Sequence, residues 1–200
     1  MATGPIDHQI QPLVAGKNWS ALSATVENYE LDACNEKDEA SPYYTVLILA
    51  NLLQGELENA RFVWKRAPKD SKAPGTSICA AWEIGKAMWQ RDYAKVYTAM
   101  AAFKGSKIED VCCAHLRDTV FRESVCKLLG KGFSTISTKE ASVYLGLAPA
   151  EVSKYCSAAG WEKLEGDMWK PTLNLKPNTE TSHLTDLKPL AKYIVHLEQQ

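Results

Sequence analysis

The sequence predicts a mainly α protein (α+β), with helical repeats of the tetratricopeptide kind followed by a winged-helix subdomain and a C-terminal helix. Three observations predict it. The stretch from Asn59 to Met100 is crowded with aromatic residues, Phe62, Trp64, Trp82, Trp89, Tyr93 and Tyr97, that recur at helical steps and read as core. Polar breaks followed by a large apolar residue recur at Lys17-Asn18-Trp19, Gly55-Glu56-Leu57 and Arg91-Asp92-Tyr93. The three anchors stand 38 and then 36 residues apart, a period proper to stacked helical hairpins. After Gly130 the pattern changes to strand, helix, turn, helix and hairpin, the order of a winged helix.

In chain order, residues 1 to 12 are expected to be frayed. Leu13 to Asn28 carries the first helical pattern, with Leu13, Val14, Trp19, Leu22 and Val26. Glu30 to Ser41 is acidic and is expected to be a loop. Pro42 is placed to open the next helix, since the first helical turn needs no N–H from it. From Tyr43 to Leu53 the residues are nearly all apolar, which marks an inner helix. After each repeat anchor a second apolar residue follows three positions on, at Leu22, Ala60 and Val96. The run PKDSKAPG at 68–75 and the break at 103–107 are loops. Ile108 to Leu129 is one long helix with apolar residues on more than one face, as a connector between two subdomains needs.

Phe133 to Ile136 reads as a short strand, and Ser137 with Glu140 forms a capping box. That helix stops at Gly146, and Pro149 opens another that ends at Gly160. Trp161–Leu164 and Met168–Lys170 flank Glu165-Gly166-Asp167 as a hairpin. Pro171 to Ser182 is polar and reads as a linker. Leu187, Leu190, Ala191, Ile194 and Leu197 then form an apolar stripe on a last helix. The expected division is a repeat subdomain at 1–106, connector and winged helix at 107–170, a linker at 171–183 and a terminal helix at 184–200.

Composition narrows the function. A net charge of −1 gives no general field for nucleic acid or anionic lipid. The start, MATGPIDHQIQP, has no basic region followed by an apolar run, and no stretch is apolar over a membrane's width. The six cysteines are scattered without a C-x-x-C and read as free thiols. His8, His115, His183 and His196 form no zinc motif. Cys112 and His115 share a helix face, but two ligands close no metal site. The second winged-helix helix, PAEVSKYCSAAG, has no arginine for phosphates or guanine. The basic cluster of Lys65, Arg66, Lys69 and Lys72 reads as a solvated face. No catalytic, cofactor or metal residue is assigned. What remains is surface for other proteins: the hairpin edge, open to a further strand, and the terminal stripe, which either folds back or joins partner helices.

Several runs carry a resemblance. Ala60-Arg61-Phe62-Val63-Trp64-Lys65-Arg66-Ala67-Pro68, Ala81-Trp82-Glu83-Ile84-Gly85-Lys86, Met88 to Tyr93 and Val96-Tyr97 are the central ones. Ser134-Thr135-Ile136, Leu145-Gly146-Leu147, Gly160-Trp161 and Tyr193 to Glu198 accompany them. Together they resemble the PCI domain shared by the proteasome lid, translation initiation factor 3 and the constitutive photomorphogenesis 9 signalosome, with the signalosome's smallest-subunit branch the nearer match. The resemblance covers about Tyr44 to the end. It implies a non-catalytic scaffold of the complex that removes Nedd8 from cullins, nuclear and cytoplasmic, without cofactor. It further implies that Trp161, Leu164, Met168 and Trp169 face another PCI subunit, with subunit 3 the expected neighbour. Leu187, Leu190, Ile194 and Leu197 would enter a bundle of C-terminal helices. The alternatives are a lid or initiation-factor subunit of the same architecture and, in a different class, a winged-helix nucleic-acid binder.

Overall fold

A computed structural model describes residues 6–36, 43–164 and 166–172 of the chain, with 33–36 as backbone alone. Six helices pair as three consecutive hairpins: α1 (Asp7–Ala15) with α2 (Trp19–Glu36), α3 (Tyr44–Gln54) with α4 (Leu57–Arg66), and α5 (Ser77–Trp89) with α6 (Tyr93–Ala102). The second helix of each pair starts on a predicted anchor, Trp19, Leu57 or Tyr93. The residues three positions on, Leu22, Ala60 and Val96, are fully buried.

One backbone device makes all three turns. Lys17, Gly55 and Arg91 are left-handed, with φ of 55°, 80° and 56°. The next amide in each case bonds back five residues: Asn18 N–H to the Leu13 carbonyl, Glu56 to Asn51, Asp92 to Ala87. The left-handed residue bonds back three, Lys17 to Val14, Gly55 to Leu52, Arg91 to Met88. This is a Schellman turn, which satisfies the last carbonyls of one helix while aiming the chain into the next. Asp92 then caps α6 by accepting from the Lys95 N–H.

α3 is the inner helix. Tyr44 through Leu53 are all buried, and α2, α4, α5 and α7 (Lys107–His115) pack around it. Full burial of a Leu or Ile side chain is worth about 1.5–3 kcal/mol, so this one helix anchors the repeat half.

Three expectations change, and one falls outside the described residues. Residues 1 to 12 are not frayed throughout. α1 runs from Asp7 and buries Ile6, Ile10 and Val14, four residues apart on one face, with the Ile6 amide donating to the Tyr43 hydroxyl at 3.3 Å. The acidic stretch from Glu30 is not a loop at its start, because α2 continues to Glu36. Pro42 lies outside the described residues, and α3 begins at Tyr44. Phe62 and Trp89, expected in the core, are 54% and 45% exposed.

The long predicted helix is present as α7, a π-helical turn at Leu116–Phe121, and α8 (Arg122–Gly132). Ser106 and Glu109 form a capping box at its start. α7 packs on α1 and α3, while α8 reaches α9 (Thr138–Leu145), so the helix does connect the two halves. The π turn widens the helix where Phe121 enters a ring cluster. Phe121 lies 5.3 Å from Tyr97 and 6.0 Å from Tyr93, and Tyr93 lies 5.5 Å from Tyr144 on α9. Arg122 Nε donates to the Leu145 carbonyl at 3.2 Å, closing the junction.

Beyond it come β1 (Ile136–Ser137), α9, α10 (Pro149–Ala158), β2 (Glu162–Leu164) and β3 (Met168–Lys170). The strands form an antiparallel sheet in the order β1-β3-β2, with Trp169 opposite both Ile136 and Lys163. The first strand is shorter than predicted, since Phe133 to Thr135 are not paired. The capping box of Ser137 with Glu140, the left-handed Gly146 and the opening Pro149 stand where the sequence put them. So does the order strand, helix, helix, hairpin.

Candidate protein interface

Side chains with chemical potential are held in structural roles. Cys112 is fully buried, and burial pushes its thiol up to about 12. Burial likewise raises the Cys113 thiol to about 11, and its Sγ donates to the Met100 carbonyl at 3.9 Å. The His115 ring lies tilted against Trp19 at 5.2 Å, and burial lowers its pKa. Among the described residues no group of three or more His, Cys, Asp or Glu could hold a metal ion. The thiolate is the reactive species. In the native protein at pH 8, a disulfide reagent should therefore leave Cys112 and Cys113 untouched while modifying them in urea. Rapid native labelling of Cys112, mapped by mass spectrometry, would contradict this burial.

Carboxylates on the repeat helices make local surface pairs. Glu58 approaches Arg61 at 4.0 Å and Glu83 approaches Lys86 at 3.7 Å, weak surface pairs. The basic cluster divides. Arg66 pairs with Glu30 at 2.6 Å, and Lys72 donates to the Lys65 carbonyl while lying 5.4 Å over the Trp64 ring.

The hairpin residues separate by face. Trp161 and Trp169 are 6% and 2% exposed. Trp169 sits on the central strand, and its indole N–H donates to Thr138 Oγ1 at 3.0 Å. Thr138 Oγ1 in turn donates to Asp167. These two tryptophans are part of the core of the small subdomain. Leu164 is 40% exposed and Met168 half-buried, so they are the hairpin's outward apolar groups. β2 is the end strand, with Glu162, Lys163 and Leu164 all exposed. Among the described residues no strand pairs with its outer edge. Leu187, Leu190, Ile194 and Leu197 lie outside the described residues.

Two surface features escaped the sequence reading. A recess of about 310 Å³ opens between the second and third hairpin turns and the connector, lined by Leu57, Met88, Tyr93, Val120 and Leu128. Phe133 and Val143, at 39% and 58% exposure, present apolar groups on the small subdomain. Neither was legible, because apolar residues at helical spacing look the same whether their own chain covers them or not. No described helix is long and apolar enough to cross a membrane.

Stacked helical hairpins, a connector and a small three-stranded subdomain define a mainly α fold of the PCI type. The chain belongs to the CSN8/PSMD8/EIF3K family, whose model matches residues 39–178. It is similar to proteins named COP9 signalosome complex subunit 8. The one from Xenopus laevis is 30% identical over 146 residues, covering 72% of this chain and 73% of the relative. That from Danio rerio is 27% identical over 162 residues, covering 78% and 82%. That from Arabidopsis thaliana is 25% identical over 195 residues, covering 94% and 97%.

Proposed function

We propose that this chain is a non-catalytic scaffold subunit of a signalosome, the complex that deneddylates cullin-RING ubiquitin ligases, and that it acts in the nucleus and cytoplasm through protein contacts alone. The observation that carries the reading is the similarity to signalosome subunit 8 proteins over nearly the whole length of both chains. The exposed β2 edge supports it, since an open strand at the end of a sheet joins a neighbour by continuing the ladder. On this reading the repeats at 1–106 and the connector with the winged helix at 107–170 are separate platforms. A linker at 171–183 frees the helix at 184–200 to join partner helices. Leu164 and Met168 face a second PCI subunit, with subunit 3 the expected one, and Leu187, Leu190, Ile194 and Leu197 enter the bundle.

The family's name spans three complexes, so a lid or initiation-factor subunit is the second reading. Tagged full-length chain recovered from cell extract distinguishes them. Stoichiometric signalosome subunits with cullin-deneddylating activity in the eluate are expected. Recovery of lid or initiation-factor subunits instead would overturn the complex and keep the architecture. Leu190→Asp with Ile194→Asp should abolish co-purification, and Leu164→Asp should weaken recovery of subunit 3. Retained assembly in the first variant would remove the bundle from the account. Salt-dependent binding to duplex DNA would favour the nucleic-acid alternative.

A further inference from the structure

Along the seam between α4 and α5, aromatic and cationic groups alternate. Trp64 and Trp82 stack at 5.7 Å with 9° between their planes. Lys72 covers the outer side of this pair, 5.4 Å from the Trp64 centroid. Farther along, the Arg61 guanidinium lies 5.5 Å from the Trp89 centroid, and Trp89 is 45% exposed. Trp82 and Trp89 are seven residues apart, and Arg61 and Trp64 three, so each pair lines one side of the seam. Half-exposed indoles of this kind are costly to leave facing water and are frequent anchors for partners.

The charge of the seam is opposite to that of the chain. On α4, α5 and the loop between them the exposed Lys65, Lys69 and Lys86 accompany Arg61 and Lys72, against Glu58, Asp70 and Glu83. The whole chain carries −1. We propose that this seam binds an acidic peptide segment of a partner, its aromatic or aliphatic side chains lying on Trp64, Trp82 and Trp89 and its carboxylates on Arg61 and Lys72. The cations are held over rings by cation–π attraction and already partly stripped of water, so a carboxylate meets them with less desolvation. A phosphate backbone suits the seam less well. It needs an unbroken run of cations, whereas Glu58 and Glu83 sit beside Arg61 and Lys86. This inference is independent of which complex the chain joins.

The test uses the full chain and a fluorescein-labelled random copolymer of glutamate and tyrosine, followed by polarisation and by tryptophan emission. Saturable binding with quenched emission is expected, with polyglutamate binding about tenfold more weakly. The double variant Arg61→Glu with Lys72→Glu should lose about tenfold or more in affinity, while Lys131→Glu on α8 with Lys139→Glu on α9 leaves it within about twofold. Trp89→Ala, at an exposed position, should weaken binding several-fold without moving the urea midpoint. Absence of saturable binding, unchanged affinity in the Arg61/Lys72 variant, or equal affinity for a 20-base-pair duplex would each overturn the proposal.

Discussion

Replacing Gly146 with alanine should lower the free energy of unfolding by about 3 kcal/mol, read as a fall in urea midpoint at unchanged slope. Two costs combine. Gly146 is the left-handed residue ending α9, at φ 61°. A side chain there costs about 1–2 kcal/mol in backbone strain. A Cβ would also overlap the Tyr97 ring, which belongs to α6 in the other half of the molecule. Overpacking of that kind costs about 1–3 kcal/mol. Tyr97 cannot swing aside freely, because Phe121 meets it edge-on at 5.3 Å and Arg122 lies 5.9 Å over its face. The matched control is Gly55→Ala. Its φ is 80°, yet nothing lies within 4 Å of the added carbon, so only the backbone cost remains. A drop at position 146 no larger than at 55 would mean that Tyr97 relaxes and that the two halves are loosely joined. Tyr97→Phe offers an independent check. The Tyr97 hydroxyl is enclosed and makes no hydrogen bond of ordinary geometry among the described residues, and burial, opposed by the neighbouring Arg122 guanidinium, drives its pKa far above the ordinary range. Removing it should leave stability unchanged or slightly higher.

This junction shows what was legible in the sequence and what was not. The three repeat anchors could be read because the Schellman turn imposes a local rule. A helix ends, one left-handed residue follows, and a large apolar residue starts the next helix. Only Gly55 of the three turn residues is a glycine, with Lys17 and Arg91 in its place, so the spacing of Trp19, Leu57 and Tyr93 carried the signal. The capping box at Ser137 and the hairpin were local for the same reason. α1 was missed because Pro12 stands inside it and glutamines flank Ile10. The spacing of Ile6, Ile10 and Val14 held the information, but over too few residues to outweigh those breakers. The aromatics of 59–100 share one composition but divide in space. Tyr97 is buried at the junction, whereas Phe62 and Trp89 emerge. The packing partner decides this, and a partner three helices away leaves no local mark. For the hairpin, the family resemblance implied Trp161 and Trp169 as part of an interface. In a sheet of three strands with two helices on it, the largest side chains are the core, and the outward positions fall to Leu164 and Met168.

That reassignment leads to the second large effect. Trp169→Ala should destabilise the chain by about 3–5 kcal/mol, the range for deleting a buried indole. Trp169 is on the central strand, faces Ile136 and Lys163 across both ladders, and is 2% exposed. Lys163, its partner on the end strand β2, lies 5.9 Å over its ring. Its indole N–H serves Thr138, which is itself buried and bonded to Asp167 at the hairpin turn. Trp169→Phe separates the two contributions: it keeps most of the ring's bulk and removes the donor, for an expected cost of about 1–2 kcal/mol. Leu164→Ala, on the exposed strand, should cost less than about 0.5 kcal/mol in the isolated chain. The contrast carries the functional argument. If Trp169 served a partner and not its own core, Trp169→Ala would leave the urea midpoint of the free chain unmoved and abolish only assembly. If it holds the subdomain together, the free chain loses stability first, and assembly falls because the platform has melted. Leu164→Asp would then show the reverse, an intact midpoint with weakened recovery of partners.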